Sequence, residues 1–430
     1  MIASSAAARC ADWIEATRTV GGYGGPVAHW WRDCLVDCRS GHDWRYEGIV
    51  AGYLELHRAT GDPAWLDRAR RAGEDLLAAQ ADDGHFSGSL FEQNPGTAGT
   101  PHEAAADTAL LRLALHLRHD DAEAADRYLA SARRNLEHGQ IRRLWDADAG
   151  SFRDDPGRPS FVPNKACTLL EALFLLAEAT QDDRWVRPYA ARTADAVLRH
   201  QVRRPGHLLD GAIAQNSFGA AVVGKYFPYY VARCIPGLLE TARFTGDDRY
   251  AEAALAAGRF VVRTREADGG FPQVVYANGR VNRNPRWVAA VGDILRVLDL
   301  LAPLGLAFDP GPTEAWLAAG LLPCGAVRTA RGFARQGHPD GTADEPPELR
   351  DILPVVGWCD KAFRYLCTSG RHLPAPGPTA DVELDCTFLG RPFVCSVGRS
   401  GVALRRGRHE VYRWTPGEQW ARAEPWLVVR

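Results

Sequence analysis

The sequence predicts an all-α fold, a closed ring of six helical hairpins, followed by a small antiparallel β appendage. Three features carry that prediction. Turn-like segments resemble one another at "RATGDPAWLDRA" from Arg58, "EATQDDRWVRPY" from Glu178 and "RFTGDDRYAEAA" from Arg243. Each sets an Asp (Asp62, Asp182, Asp247) where its carboxylate can accept from the free N–H groups of a helix start, with an aromatic just beyond. A second signal closes the helical runs: "ADDGHF", "DADAGSF" and "EADGGF" use Gly to stop a helix and return Phe86, Phe152 and Phe271 to the core. The two signals recur about every 60 residues, the length of a helix pair with its loops.

The third feature is a contrast in composition. "PAWLDRARRAGEDLLAAQ" puts Trp65, Leu66, Ala69, Ala72, Leu76 and Leu77 on one stripe, with Arg68, Arg71, Glu74 and Asp75 opposite, as an outer helix with one wet face requires. "HEAAADTALLRLALHL" from His102 and "NKACTLLEALFLLAEA" from Asn164 are apolar nearly all round, as inner helices are.

In chain order the helical runs fall near 3–18, 43–59, 63–80, 102–118, 122–138, 164–180, 183–201, 226–244, 248–265, 287–302, 313–320 and 350–368. Alternating inner and outer helices closed into a ring need no polar capping repeats, which an open solenoid would require at its ends. Pro63 suits the first position of its helix. Pro228 opens the fourth inner helix in the same way, and Pro236 lies inside it, where a missing N–H predicts a kink. A Gly/Pro-rich loop at 321–349 is long enough to serve a function. After Ala380, "DVELDCTFL", "RPFVCSV", "GVALRRG" and "EVYRWT" are β-rich runs between Gly-bearing turns. The expected division is therefore a ring over 1–370 and a β extension over 381–430.

On this repeat length, and on the TGD and DG-x-F punctuation, residues 1–370 resemble the (α/α)6 toroids. Familiar members are glucoamylases, unsaturated glucuronyl hydrolases, the toroid domains of alginate and heparin lyases, and the acylglucosamine epimerases. The resemblance implies the toroid fold and no single activity. The DxDD acid motif of the toroidal terpene cyclases is absent; "VELDCTF" does not match it.

Bulk properties exclude several functions. A formal net charge of -2 over 430 residues gives no general field for nucleic acid or an anionic membrane. The N-terminus has no basic start followed by an apolar core, and no run approaches a membrane span, so a soluble cytoplasmic protein is expected. Ten cysteines without a CxxC pair read as reduced, buried thiols. Cys34 and Cys38 lack a partner pair with ligand spacing, so neither a metal nor another cofactor is expected.

The chemistry-bearing residues gather where inner helices begin. They stand in "HWWRDC" and "HDWRYEG", "FEQNPGTAGTPHEAAAD", "SFVPNKA", "LDGAIAQNSF" with "KYFPYYVAR", "NRNPRW" and "GWCDKAF". In an alternating ring these starts share one end, and their N-termini favour an anion there. The chain has three lysines, Lys165, Lys225 and Lys361, and all lie in these motifs. Arg32, Arg45, Arg233 and Arg283 add donors for carboxylate, sulfate or phosphate.

Particular roles follow from residue type. Asp107 sits on an apolar inner helix, where a carboxyl needs a partner or a task. His102 and Tyr230 suit acid and base work, and Asn164, Asn216 and Arg233 suit neutralisation of a uronate carboxylate before elimination. Hydrolysis instead pairs Asp107 with Asp210, Glu47 or Asp360. His29 and Tyr226 line the same mouth, and Trp287 and Trp358 are sugar-stacking platforms. Glu103 reads as one half of a capping box with Thr100. The expected activity is cleavage of a glycosidic bond in a small anionic saccharide, by hydrolysis or β-elimination. The alternatives are a sugar epimerase using His29, His102 and His207, another toroid-fold biosynthetic enzyme, and a non-catalytic binding or scaffold protein.

Overall fold

A computed structural model describes residues 6–29, 33–38, 44–86, 103–336, 346–353, 356–368, 373, 375–417, 422–423 and 427. Twelve helices among them alternate between an outer and an inner position. They are α1 (Ala6–Ala16), α2 (Arg45–Thr60), α3 (Pro63–Ala79), α4 (Ala104–Leu117), α5 (Ala122–Arg134) and α6 (Pro163–Thr180). The second half supplies α7 (Ala190–Arg199), α8 (Pro228–Thr245), α9 (Asp248–Thr264), α10 (Val291–Leu301), α11 (Gly311–Ala318) and α12 (Val356–Thr368). Each even-numbered helix packs on the next even one, and α12 packs on α2, which closes the inner ring.

Local chemistry sets these boundaries. Asp62, Asp182 and Asp247 accept from the N–H groups of Ala64, Arg184 and Arg249 at 2.9, 3.0 and 3.0 Å. Pro63, Pro163 and Pro228 occupy first helical positions, where their missing N–H breaks no hydrogen bond. Phe86, Phe152 and Phe271 are buried as the punctuation implies. Gly269 (φ 88°) shows why the stop needs glycine, because a Cβ there would lie 2.0 Å from the Pro312 carbonyl oxygen.

Three runs depart from their expected form. The stretch 183–201 opens with a 3-10 turn at Asp183–Trp185, and α7 begins only at Ala190, since Pro188 has no N–H to offer and disfavours helical geometry at Arg187. Beyond α5 the chain continues as a π-helix over Asn135–Ile141, where the Asn135 amide turns inward to Gly84 O (3.0 Å) and Glu103 Oε2 (2.7 Å). The run 350–368 is divided into Leu349–Ile352 and α12. By contrast α8 passes through Pro236 as one helix, and the neighbouring Gly237 brings its backbone close to Cys167 of α6.

Short ladders tie together the loops that precede inner helices. Ser160–Phe161 pairs with Ser217–Phe218, Lys225–Tyr226 with Val274–Tyr276, and Arg286–Trp287 with Ala330–Arg331. The C-terminal strands Val382–Phe388, Arg391–Gly398, Gly401–Arg406, His409–Trp414 and Arg422–Ala423 form one antiparallel sheet in that order. Its inward residues, among them Phe388, Phe393, Leu404 and Trp414, belong to the same continuous core as the ring. No helix among the described residues is long and apolar enough to cross a membrane.

Candidate functional site

Five inner helices meet at the ring axis through buried charge. Arg233 of α8 donates to Glu47 of α2 (3.0 and 3.2 Å), to Asp293 of α10 (3.3 Å) and to Thr168 of α6 (2.9 Å). Arg364 of α12 donates to Glu47 and Asp293 as well. Glu47 and Asp293 lie in the first turn of their helices, and Thr168 and Arg233 in the second. Side chains this early in their helices can meet only if those helices run parallel, so their N-termini share one end of the ring. The Trp44 ring lies 5.4 Å from the Arg233 guanidinium, at the start of α2.

Arrangement decides the charge states. Burial alone would raise Glu47, but Arg233 and Arg364 outweigh it and hold the carboxyl well below its usual range. The same contest, with Arg364 and then Arg233 opposing burial, brings Asp293 down to about 2. Other inner-helix carboxyls go the opposite way. Burial lifts Asp360 to about 8, although Lys361 opposes it, and burial raises Glu171. Asp107 is raised well above the carboxylate range by complete burial and, second, by the charge of Glu103 one turn away. Neither Asp107 oxygen has a hydrogen-bond partner among the described residues.

The structure brings some of the sequence-selected residues together in roles other than those expected. Glu47 and Arg233 engage each other in one network with Asp293 and Arg364, so neither is open to an incoming anion; five helices must agree to bury charge, and that agreement consumes both groups. Arg45, 1 % exposed, donates to the Tyr23 carbonyl at 2.8 Å. Thr100, the expected capping partner of Glu103, lies outside the described residues. Glu103 accepts from Asn135 and meets His85 Nδ1 at 3.1 Å, while Arg143 donates to His85 Nε2. Trp287 is half-buried, packs edge-on to Phe333 at the margin of a small separate core, and its carbonyl accepts from Trp316.

Other candidates remain near the mouth. Lys165 pairs with Asp154 at 2.8 Å, and Lys361 donates to Asp360 (2.7 Å) and to the Trp44 carbonyl (2.8 Å). Asp360 also accepts from Gly48 N–H at 3.1 Å. Lys225 is exposed, beside buried Tyr226, on the strand that leads into α8. Tyr230 is half-buried in the first turn of α8, in a ring cluster with Phe227 and Tyr229 at 5.0 and 5.7 Å. Asn164 lies nearly buried at the start of α6.

Several residues answer to local turns. Asn216 accepts through its carbonyl from Val223 N–H, and Asp210 accepts from Arg204 N–H at 2.8 Å. Exposed His207 accepts from Leu209 N–H, Arg283 pairs with Glu266 at 2.7 Å, and buried His29 bonds through its backbone to Cys34. His102, Arg32 and the side chain of Trp358 lie outside the described residues.

Sequence reasoning missed Asp293, Arg364, Glu171, Arg296 and Arg112. Each is a charge within an inner helix, and in "VGDILRVL" and "TLLEALFLL" the neighbours are apolar, the same signal that singled out Asp107.

No family model and no curated protein matches the sequence. Solved structures do match. An unsaturated glucuronyl hydrolase of Bacillus sp. GL1, described as responsible for degradation of glycosaminoglycan, is 18% identical with a TM-score of 0.58, over 85% of this chain and 95% of that one. A cellobiose 2-epimerase of Bacillus thermoamylovorans B4167 is 11% identical with a TM-score of 0.59, over 82% and 94%. An inactive variant of an α-1,6-mannanase of Salegentibacter sp. HEL1_6, in complex with α-1,6-mannotetrose, is 12% identical with a TM-score of 0.54, over 84% and 98%. The chain has the (α/α)6 toroid fold of these proteins, and at such identities the likeness establishes the fold alone.

Proposed function

We propose that this protein hydrolyses a glycosidic bond in an anionic, uronate-type saccharide, bound where the inner helices begin, with Asp107 as the acid. The observation that carries this is Asp107 itself, a fully buried carboxyl with neither oxygen hydrogen-bonded among the described residues. A carboxyl kept for structure is normally satisfied. Burial, and then the charge of Glu103, raise this carboxyl well above its ordinary range, which favours the protonated form that donates to a leaving oxygen while water attacks the sugar. Of the carboxyls considered as its partner, Glu47 is committed to two arginines and Asp210 to a local turn. Asp360 keeps one enclosed oxygen without a partner among the described residues.

Elimination has less support, because Arg233 is locked in ion pairs and cannot neutralise a substrate carboxylate. Recognition of the anion falls instead to the helix N-termini and to exposed Lys225. A structural neighbour described as an unsaturated glucuronyl hydrolase agrees with this reading.

Incubation with oligosaccharides that end in an unsaturated uronate tests it. Loss of the double-bond absorbance, abolished in Asp107→Asn, is the expected result. A gain of that absorbance from saturated uronate chains identifies a lyase, and no change with either substrate refutes both.

A further inference from the structure

Far from the inner-helix starts, the last turns of α2, α4 and α6 enclose a depression of about 270 Å3. Its charged and titratable lining is Glu55 and Arg58 from α2, Arg112, His116 and Arg118 from α4, and Glu178 from α6. Arg112 differs from the rest. Its guanidinium has no hydrogen bond or ion pair among the described residues, and its Nε is fully enclosed. Arg58, in contrast, is paired with Glu55.

The interior ion pairs leave Arg112 without a direct contact. Four guanidinium groups, Arg112, Arg233, Arg296 and Arg364, lie along the axis against three carboxyls, Glu47, Glu171 and Asp293. Arg233 and Arg364 hold Glu47 and Asp293, and Arg296 lies 3.6 Å from Asp293. None of these contacts reaches Arg112; burial and then the like charge of Arg364 make its charged form costly, opposed by Glu171 and Glu47, neither of which is in contact with it. Buried charge calls for a partner, and Arg112 lines the depression.

We propose that this depression is a second ligand site, which takes a small oxyanion on the Arg112 guanidinium. The planar fork of donors matches two oxygens of a carboxylate or a phosphate. Three helix C-termini bring partial negative charge to this end, and Arg58 and Arg118, in the last turns of α2 and α4, offset it at the rim. Exposed Glu178 on the same rim repels larger polyanions. The site lies at the opposite end of the inner helices from the proposed saccharide site and is independent of that reading.

Calorimetric titration of the full chain with inorganic phosphate, and separately with acetate, at ionic strength held constant with chloride, tests the site. Saturable binding is expected, weakened tenfold or more in Arg112→Gln and strengthened in Glu178→Gln. Binding of acetate without phosphate supports the site with a carboxylate as its ligand. Absence of saturable binding by either anion, or equal affinity in Arg112→Gln, overturns it. Should Arg112→Gln fail to fold, the exposed rim variant Arg118→Gln decides: a threefold or greater loss of affinity supports the site, and unchanged affinity overturns it.

Discussion

Replacing Arg233 with methionine removes four hydrogen bonds at once, two to Glu47 and one each to Asp293 and Thr168. At the innermost point two cations face two anions, and the variant leaves Arg364 alone between Glu47 and Asp293. Breaking one partner out of a buried ion pair costs about 3–5 kcal/mol. With a urea slope of about 3 kcal/mol/M, at the upper end for small domains because slope grows with size, the midpoint falls by roughly 1–1.7 M. Equilibrium urea unfolding followed by tryptophan fluorescence reads this directly. The double variant Glu47→Gln with Arg233→Met leaves Arg364 and Asp293 one to one, so it should regain at least ~1 kcal/mol over Arg233→Met alone. A loss below ~1 kcal/mol in Arg233→Met, together with loss of saccharide binding, would refute the structural role and return Arg233 to the ligand.

Other outcomes follow from the same geometry. Asp293 is depressed to about 2, so its contribution is complete above the ordinary carboxylate range and is lost as pH falls from about 4 through 2. That window is worth roughly 2 kcal/mol at about 1.4 kcal/mol per pKa unit, and it appears as a drop in urea midpoint between pH 4 and pH 2.5. Asp107 is raised, so stability falls as pH climbs above the ordinary carboxylate range towards its folded value; Asp107→Asn should match or exceed the wild-type midpoint at pH 8 while saccharide cleavage falls about a hundredfold or more. Gly237→Ala places a methyl 2.8 Å from the Cys167 carbonyl oxygen and 2.9 Å from its Cβ, so a loss of about 1–3 kcal/mol is expected from thermal unfolding.

The legible part of this protein is local. Helix starts at Asp62, Pro63, Pro163 and Pro228, stops at glycine, and the inner or outer position of each helix could all be read from the chain, because caps and stripes depend on residues within about four positions of each other. The division of the run 183–201 was legible too, in Pro188, had its effect on Arg187 been weighed. The candidate site was legible only as a place, the end where the inner helices begin. Asp107 stood out because an apolar helix offers a carboxyl no partner, and none of the described residues hydrogen-bonds to it.

Which charged groups remain open to a ligand was a tertiary decision. Glu47 is 186 residues from Arg233 and 317 from Arg364, yet the three close a single network with Asp293. An arginine in "YYVARC" reads the same whether it faces solvent or two carboxylates. Its role depends on what four other helices present at the ring axis. Sequence alone therefore determined where the helices lie and which face each buries, since those rest on short-range hydrogen bonds and apolar periodicity. Closure of the ring decided which charges are spent on one another, because Coulomb attraction in a desolvated interior acts between groups that only the fold brings within reach.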